Sequence, residues 1–134
     1  MTYPALSPGM NIEDSKVVTE DDLALHLGSG ALKVYATPAM VRFIELTCRK
    51  LIEPKLPESQ STVGVDIHVK HLAPTPLGGK VRVRAEITEI EGNLIRFQAE
   101  VWDTEEKIGE AEHQRAVIDI ARFQKRVAQK SAAN

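Results

Sequence analysis

The 134-residue sequence holds a single cysteine, Cys48, so no intramolecular disulfide can form and a reducing compartment is expected. Its apolar helical neighbours Val41, Ile44 and Ile52 suit Cys48 to core filling, not to nucleophilic work. Aromatic side chains are scarce, at one tryptophan, two tyrosines and three phenylalanines, which leaves no pattern for stacking bases. Neither sign of charge prevails: 17 basic against 19 acidic residues give a net charge of -2, which speaks against nucleic acid as a partner. No apolar run approaches the roughly 20 residues needed to cross a bilayer. The opening Met-Thr-Tyr-Pro has neither the basic region nor the apolar core of a signal segment, so the expectation is a cytoplasmic protein with no membrane partner. Four scattered histidines and one cysteine do not make a metal-site spacing, and no complete phosphate-binding loop occurs. Gly78-Gly79 reads as a hairpin device.

What is present is enough for one domain: 43% of residues are apolar, and a chain of this size buries about two thirds of its unfolded surface. Residues 1–15 contain Pro4, Pro8 and Gly9, show no sustained period, and read as an N-terminal arm. A short strand is expected over residues 16–20 and one or two helical turns over 21–27, broken by Gly28-Ser29-Gly30. The strongest helix signal follows: Thr37 as cap, Pro38 at the first helical position, and a body from Met40 to Ile52 stopped by Pro54 and Pro57. From Ser61 onward the period becomes two. Val63, Val65, Ile67 and Val69 alternate with polar partners, as do Val81, Val83, Ala85 and Ile87, then Ile95, Phe97, Ala99 and Val101; a last strand is expected over 108–120. One long helix followed by hairpin-linked strands is an α+β arrangement. Large apolar residues on several sides of the helix favour one wrapped by a sheet or covered by a second subunit. The main domain is set at residues 16–127, and the small, basic end at 128–134 reads as a flexible tail.

Three side chains stand out chemically. Glu45 interrupts the apolar helix; burial there raises a carboxylate pKa and prepares a base or nucleophile, while pairing with Arg42 or Arg49 is the structural alternative. Thr37 is first of all a helix cap; the same placement offers a second use, as a group at an exposed helix start that steadies a carbonyl oxygen as it becomes anionic. Two helical turns, about 12 Å of rise, separate it from Glu45, so a strand residue is needed to reach between them. His71 ends an alternating strand ahead of Pro74 and Pro76, where a loop can hold its ring beside a cleft, or where it is simply a surface histidine. His113 and Arg115 read as members of the polar side of the last strand, with Arg115 also able to meet an anionic ligand.

The segment Val34-Tyr35-Ala36-Thr37-Pro38-Ala39-Met40-Val41, the Phe43-Ile44-Glu45 that follows, His71-Leu72-Ala73-Pro74-Thr75-Pro76, and the later His113-Gln114-Arg115-Ala116-Val117-Ile118 together resemble the fluoroacetyl-CoA thioesterase family of single hotdog domains. The resemblance covers most of residues 17 to 127. It implies a long central helix enclosed by a curled antiparallel sheet, a homodimer as the basic unit with larger assemblies open, acyl-CoA as the substrate, and no cofactor beyond the CoA of that substrate. It implies Thr37, Glu45 and His71 as catalytic residues, with Glu45 activating water or attacking the acyl carbon itself. Gly64 matches a glycine beside the acyl site, and Tyr35, Phe43 and Arg115 are further substrate-binding candidates. The fluoroacetyl-specific enzyme carries a longer, phenylalanine-bearing lid where this chain has the compact residues 26–33, so a short or branched acyl group is the expected substrate. A noncatalytic acyl-CoA binder, a hotdog hydratase or dehydratase, and a structural oligomerisation module are the alternatives.

Overall fold

A computed structural model of the protein describes residues 3–133. Met1 and Thr2 of the expected arm and Asn134 of the expected tail lie outside the described residues. Five strands, β1 (Asn11–Val17), β2 (Gln60–His71), β3 (Lys80–Glu91), β4 (Leu94–Trp102) and β5 (Lys107–Asp119), form one antiparallel sheet in the order β1-β3-β4-β5-β2. The helix α1 (Ala24–Leu27) is a single turn; α2 (Thr37–Ile52) lies against the sheet, and α3 (Ile120–Ala133) leaves its far end. The sheet is open, with β1 and β2 as its two edges.

Directly paired residues share a face, so the ladder gives the core at once. Val83, Val101 and Gly109 form one row across β3, β4 and β5; Ala85, Ala99 and Ala111 form the next; Ile87, Phe97 and His113 form a third. Onto these rows α2 lays Met40, Phe43, Ile44, Cys48, Leu51 and Ile52, all buried. Gly109 makes the close approach possible, because a Cβ there would stand 2.5 Å from Met40 Sδ. Gly92, at φ 59°, supplies the left-handed turn that returns β3 into β4.

The expected arm is partly strand. β1 begins five residues earlier than its sequence signal, and its inward positions are Ile12, Asp14 and Lys16. Asp14 takes Lys50 of α2 at 2.6 Å and Lys16 takes the buried Asp22 at 2.5 Å, so this edge meets the helix through ion pairs and lacks a hydrophobic period. Asp22 also receives Arg42 at 2.9 Å, while its carbonyl accepts from the Ala36 amide at 2.8 Å, which fixes where α2 starts. At the other end Glu53 accepts from Arg49, from Ser61 and from the Thr62 amide, tying the end of α2 to the start of β2. The expected tail continues as α3 to Ala133, with none of its residues buried.

Candidate functional site

The geometry turns on a bulge in β2. Gly64 pairs with Arg115, and the next pair is Asp66 with Gln114, so Val65 is the extra residue. A regular strand would set residues 64 and 71 on opposite faces, because their separation is odd. The inserted residue brings Thr62 and Gly64, then Ile67, Val69 and His71, onto the face turned to α2. Val63 and Val65, expected on one face with Ile67 and Val69, do not share it: Val63 pairs with Ala116 on the opposite face, and Val65 is 51% exposed.

At the N-terminus of α2, Thr37 Oγ1 and His71 Nδ1 stand 2.9 Å apart, joining residues 34 positions apart in sequence. Thr37 is not the cap: Ala36 holds that position with extended backbone, and Thr37 is the first helical residue, so its hydroxyl is released to the histidine. Beneath lies Tyr35, edge-on to the imidazole at 6.3 Å between centroids. Burial lowers the His71 pKa below the usual imidazole value, so the ring is neutral at pH 7. Its Nε2 is buried without a partner. A neutral imidazole with one nitrogen bound to a hydroxyl and the other unclaimed can pass a proton.

Two turns along α2, Glu45 faces the second cluster. Its alternative partners are engaged elsewhere, Arg42 with Asp22 and Arg49 with Glu53. Glu45 Oε2 instead lies 3.8 Å from Arg115 Nη1 on β5, and its side chain keeps 42% of its surface exposed, so the expected deep burial is not found. Gly64 lies directly opposite: a Cβ there would stand 3.3 Å from Glu45 Oε2 and 3.3 Å from His113 Cε1. Glu45, Gly64 and His113, together with Val65, Asp66 and Ile67, line a cavity of about 330 Å³.

Arg115 and His113 are buried, not solvated on a wet face as expected. Arg115 donates from Nε to Thr62 Oγ1 at 2.9 Å and from Nη2 to the Thr62 carbonyl at 3.3 Å, while His113 Nδ1 meets the Asp66 carbonyl at 2.7 Å. Sequence reasoning gave His113 no part here, yet a signal existed: it shares the parity of Ala111 and Val117, the apolar positions of β5. Phe43 does not join this group; it lines a groove on the β1 side with Asp14, Lys16 and Leu46. Cys48 is fully buried, and burial pushes its thiol up to about 12, which leaves no thiolate for chemistry. Among the described residues no three His, Cys, Asp or Glu side chains are grouped to hold a metal ion.

The family model described as FlK, fluoroacetyl-CoA-specific thioesterase, matches residues 18–121, a span that contains both clusters. The chain belongs to the fluoroacetyl-CoA-specific thioesterase family. A fluoroacetyl-CoA thioesterase from Streptantibioticus cattleyicolor is 36% identical over 101 residues, 75% of this chain and 73% of that protein. A phenylalanine-to-alanine variant of the fluoroacetyl-CoA-specific thioesterase, solved with fluoroacetate and CoA, superposes with a TM-score of 0.84 at 31% identity, over 88% of this chain and 99% of that one. A hot-dog-like protein from Thermanaerovibrio acidaminovorans gives 0.86 at 26% identity over 92% and 91% of the two chains. The fold is thus a hotdog, with α2 as its central helix and an open five-stranded sheet around it.

Proposed function

We propose that the protein hydrolyses a short or branched acyl-CoA to the carboxylic acid and free CoA, with Thr37, His71 and Glu45 as its catalytic residues. Acyl-CoA thioester hydrolysis is the activity that membership of the thioesterase family carries. The observation that supports the assignment most is the 2.9 Å Thr37–His71 contact on the same helix that turns Glu45 toward Gly64. Glu45 brings the attacking oxygen, its own or that of a water whose proton it takes; the oxygen bonds the thioester carbon, and the carbonyl becomes an oxyanion. The Thr37 hydroxyl and the first-turn amides of α2 carry that charge. The C–S bond then breaks, and the CoA sulfur leaves as a thiol with a proton from His71, which regains one from the water consumed; where Glu45 itself attacked, that water then cleaves the acyl–Glu45 anhydride to give the acid and the free carboxylate. Gly64 makes room for the acyl group, Arg115 faces it, and Tyr35 backs the imidazole.

Glu45 and the Thr37–His71 pair lie about 12 Å apart along α2, and a second copy of the chain closes the gap. β2 is an edge strand, and antiparallel pairing of two copies centred between Ile67 and His68 sets His71 of one opposite Gly64 of the other. We therefore read the working unit as a homodimer with two sites at its interface, each taking Thr37 and His71 from one protomer and Glu45 from its partner. Residues 26–33 lie exposed and hold no phenylalanine, tyrosine or tryptophan, which suits an acyl group selected without a phenylalanine-bearing lid. The one cysteine, buried and free, fits a cytoplasmic setting.

Free CoA released from a panel of acyl-CoA thioesters tests the reading. Glu45→Gln is expected to lower turnover about 10²- to 10⁴-fold with the melting temperature unchanged. Full turnover in folded E45Q contradicts it; binding without CoA release marks a binding module, and hydration with the thioester intact a hydratase.

A further inference from the structure

Arg115 is the only cation beside Glu45 among the described residues, yet the two are too far apart to hydrogen-bond, so something other than the carboxylate must set the guanidinium's place. Thr62 takes Nε and Nη2. The remaining nitrogen, Nη1, is the one facing Glu45, and it stands 3.1 Å from His113 Nε2. An arginine nitrogen only donates, so His113 Nε2 must carry a lone pair. The other ring nitrogen, Nδ1, is 2.7 Å from the Asp66 carbonyl and must carry the proton. The two partners demand the same tautomer. The ring is held flat as well, stacked on Phe97 at 6.1 Å between centroids and 26° between planes.

This arrangement links the bulge to the charge. Asp66 is the residue at which β2 regains register after Val65, and Arg115 is the pairing partner of Gly64 just before it. His113 spans the irregularity, holding the backbone on one side and the guanidinium on the other. Both its nitrogens are engaged and its surface is almost wholly buried, so it has no site left to exchange a proton with a substrate.

We infer that His113 is a positioning residue, which aims Arg115 Nη1 at Glu45 and the space beside Gly64 and thereby acts on the thioesterase reaction through Arg115. The inference rests on the reading of Glu45 as a catalytic group. The groups facing the ring are Arg115 from β5, Asp66 from β2 and Glu45 from α2.

Two side chains divide the two bonds. Glutamine at 113 reaches Arg115 with an acceptor oxygen, whereas the shorter asparagine reaches the Asp66 carbonyl alone. His113→Asn is expected to lower kcat about 10- to 100-fold with KM within about 3-fold, and His113→Gln to stay within about 5-fold of the parent. In an Arg115→Met background His113→Asn is expected to add no more than about a 2-fold loss, since the residue acts through the guanidinium. Nitrogen-15 NMR of the unmodified protein is expected to show the His113 ring neutral with its proton on Nδ1, a readout that needs no variant to fold. Equal losses in H113N and H113Q, full additivity with R115M, or a proton on Nε2 would each overturn the inference. The Glu45→Gln result separates the two levels: an active E45Q sinks the reading of the site, while an inactive E45Q with H113N and H113Q alike sinks only the role of His113.

Discussion

Gly64 contributes by what it lacks. Its backbone is ordinary extended strand, so the residue is not there for a left-handed turn; a Cβ would reach within 3.3 Å of Glu45 Oε2 and 3.5 Å of Arg115 Nη1. The alanine methyl fits if those side chains give by a few tenths of an ångström, but the branched valine side chain must occupy the space between the carboxylate and the guanidinium. We expect Gly64→Val to cut CoA release about 10- to 100-fold while costing no more than about 1–3 kcal/mol of stability, measured by steady-state kinetics and denaturant unfolding of the same preparation. Undiminished turnover would mean that the acyl group does not pass between these residues. The same logic explains why Thr37 was ambiguous in sequence. A threonine ahead of proline is a capping signal, and only the extended backbone at Ala36 reveals that the hydroxyl is spare.

At the scale of elements, the Val65 bulge determines which side chains can meet. Deleting Val65 restores regular pairing and gives Gly64 and His71 opposite parity, so one of the two must leave the α2 face. We expect that deletion to abolish CoA release by at least about 10²-fold even where circular dichroism still reports the sheet; near-normal turnover would show that the bulge does not assemble the site. How far each element was legible follows from its surroundings. β3 and β4 were readable because their inward residues, such as Val83, Ala85, Phe97 and Val101, all meet apolar partners. The core face of α2 was readable for the same reason. β2 misled, since Val63, Val65, Ile67 and Val69 alternate without a break and conceal the extra residue. β1 was placed late because its inward Asp14 and Lys16 are satisfied by charges on distant elements. Glu45, Thr37 and His71 were picked out by residue type and resemblance, while the Arg115–His113 arrangement needed the strand's parity, which a local reading of charge overrode.

The whole molecule carries a pH signature. Burial lowers the pKa of His71 and, more deeply placed, of His113, so between the ordinary imidazole value of about 6.5 and their folded values the unfolded chain binds more protons than the folded one. Stability is therefore complete above about pH 7 and is lost as the pH falls through that window. A second loss begins at lower pH: burial works against ionisation of Asp22 and Glu53, yet the hydrogen bonds of Lys16 and Thr19 to the one, and of Ser61, Thr62 and Arg49 to the other, hold both below the usual carboxylate range. Melting curves from pH 8 to 3 are expected to show both declines, and a melting temperature constant down to about pH 5 would contradict the histidine assignment. The proposed homodimer answers a distance: one helix carries Thr37 and Glu45 too far apart for a single thioester carbon, and in the proposed assembly two copies of β2 bring the separated groups together. Co-expression of His71→Ala with Glu45→Gln chains, each inactive alone, tests this most directly. If each site draws on both protomers, half of the dimers are mixed and each mixed dimer retains one intact site, so CoA release should return to about a quarter of the parent rate. A mixture as inactive as its components would show that the groups must come from the same chain.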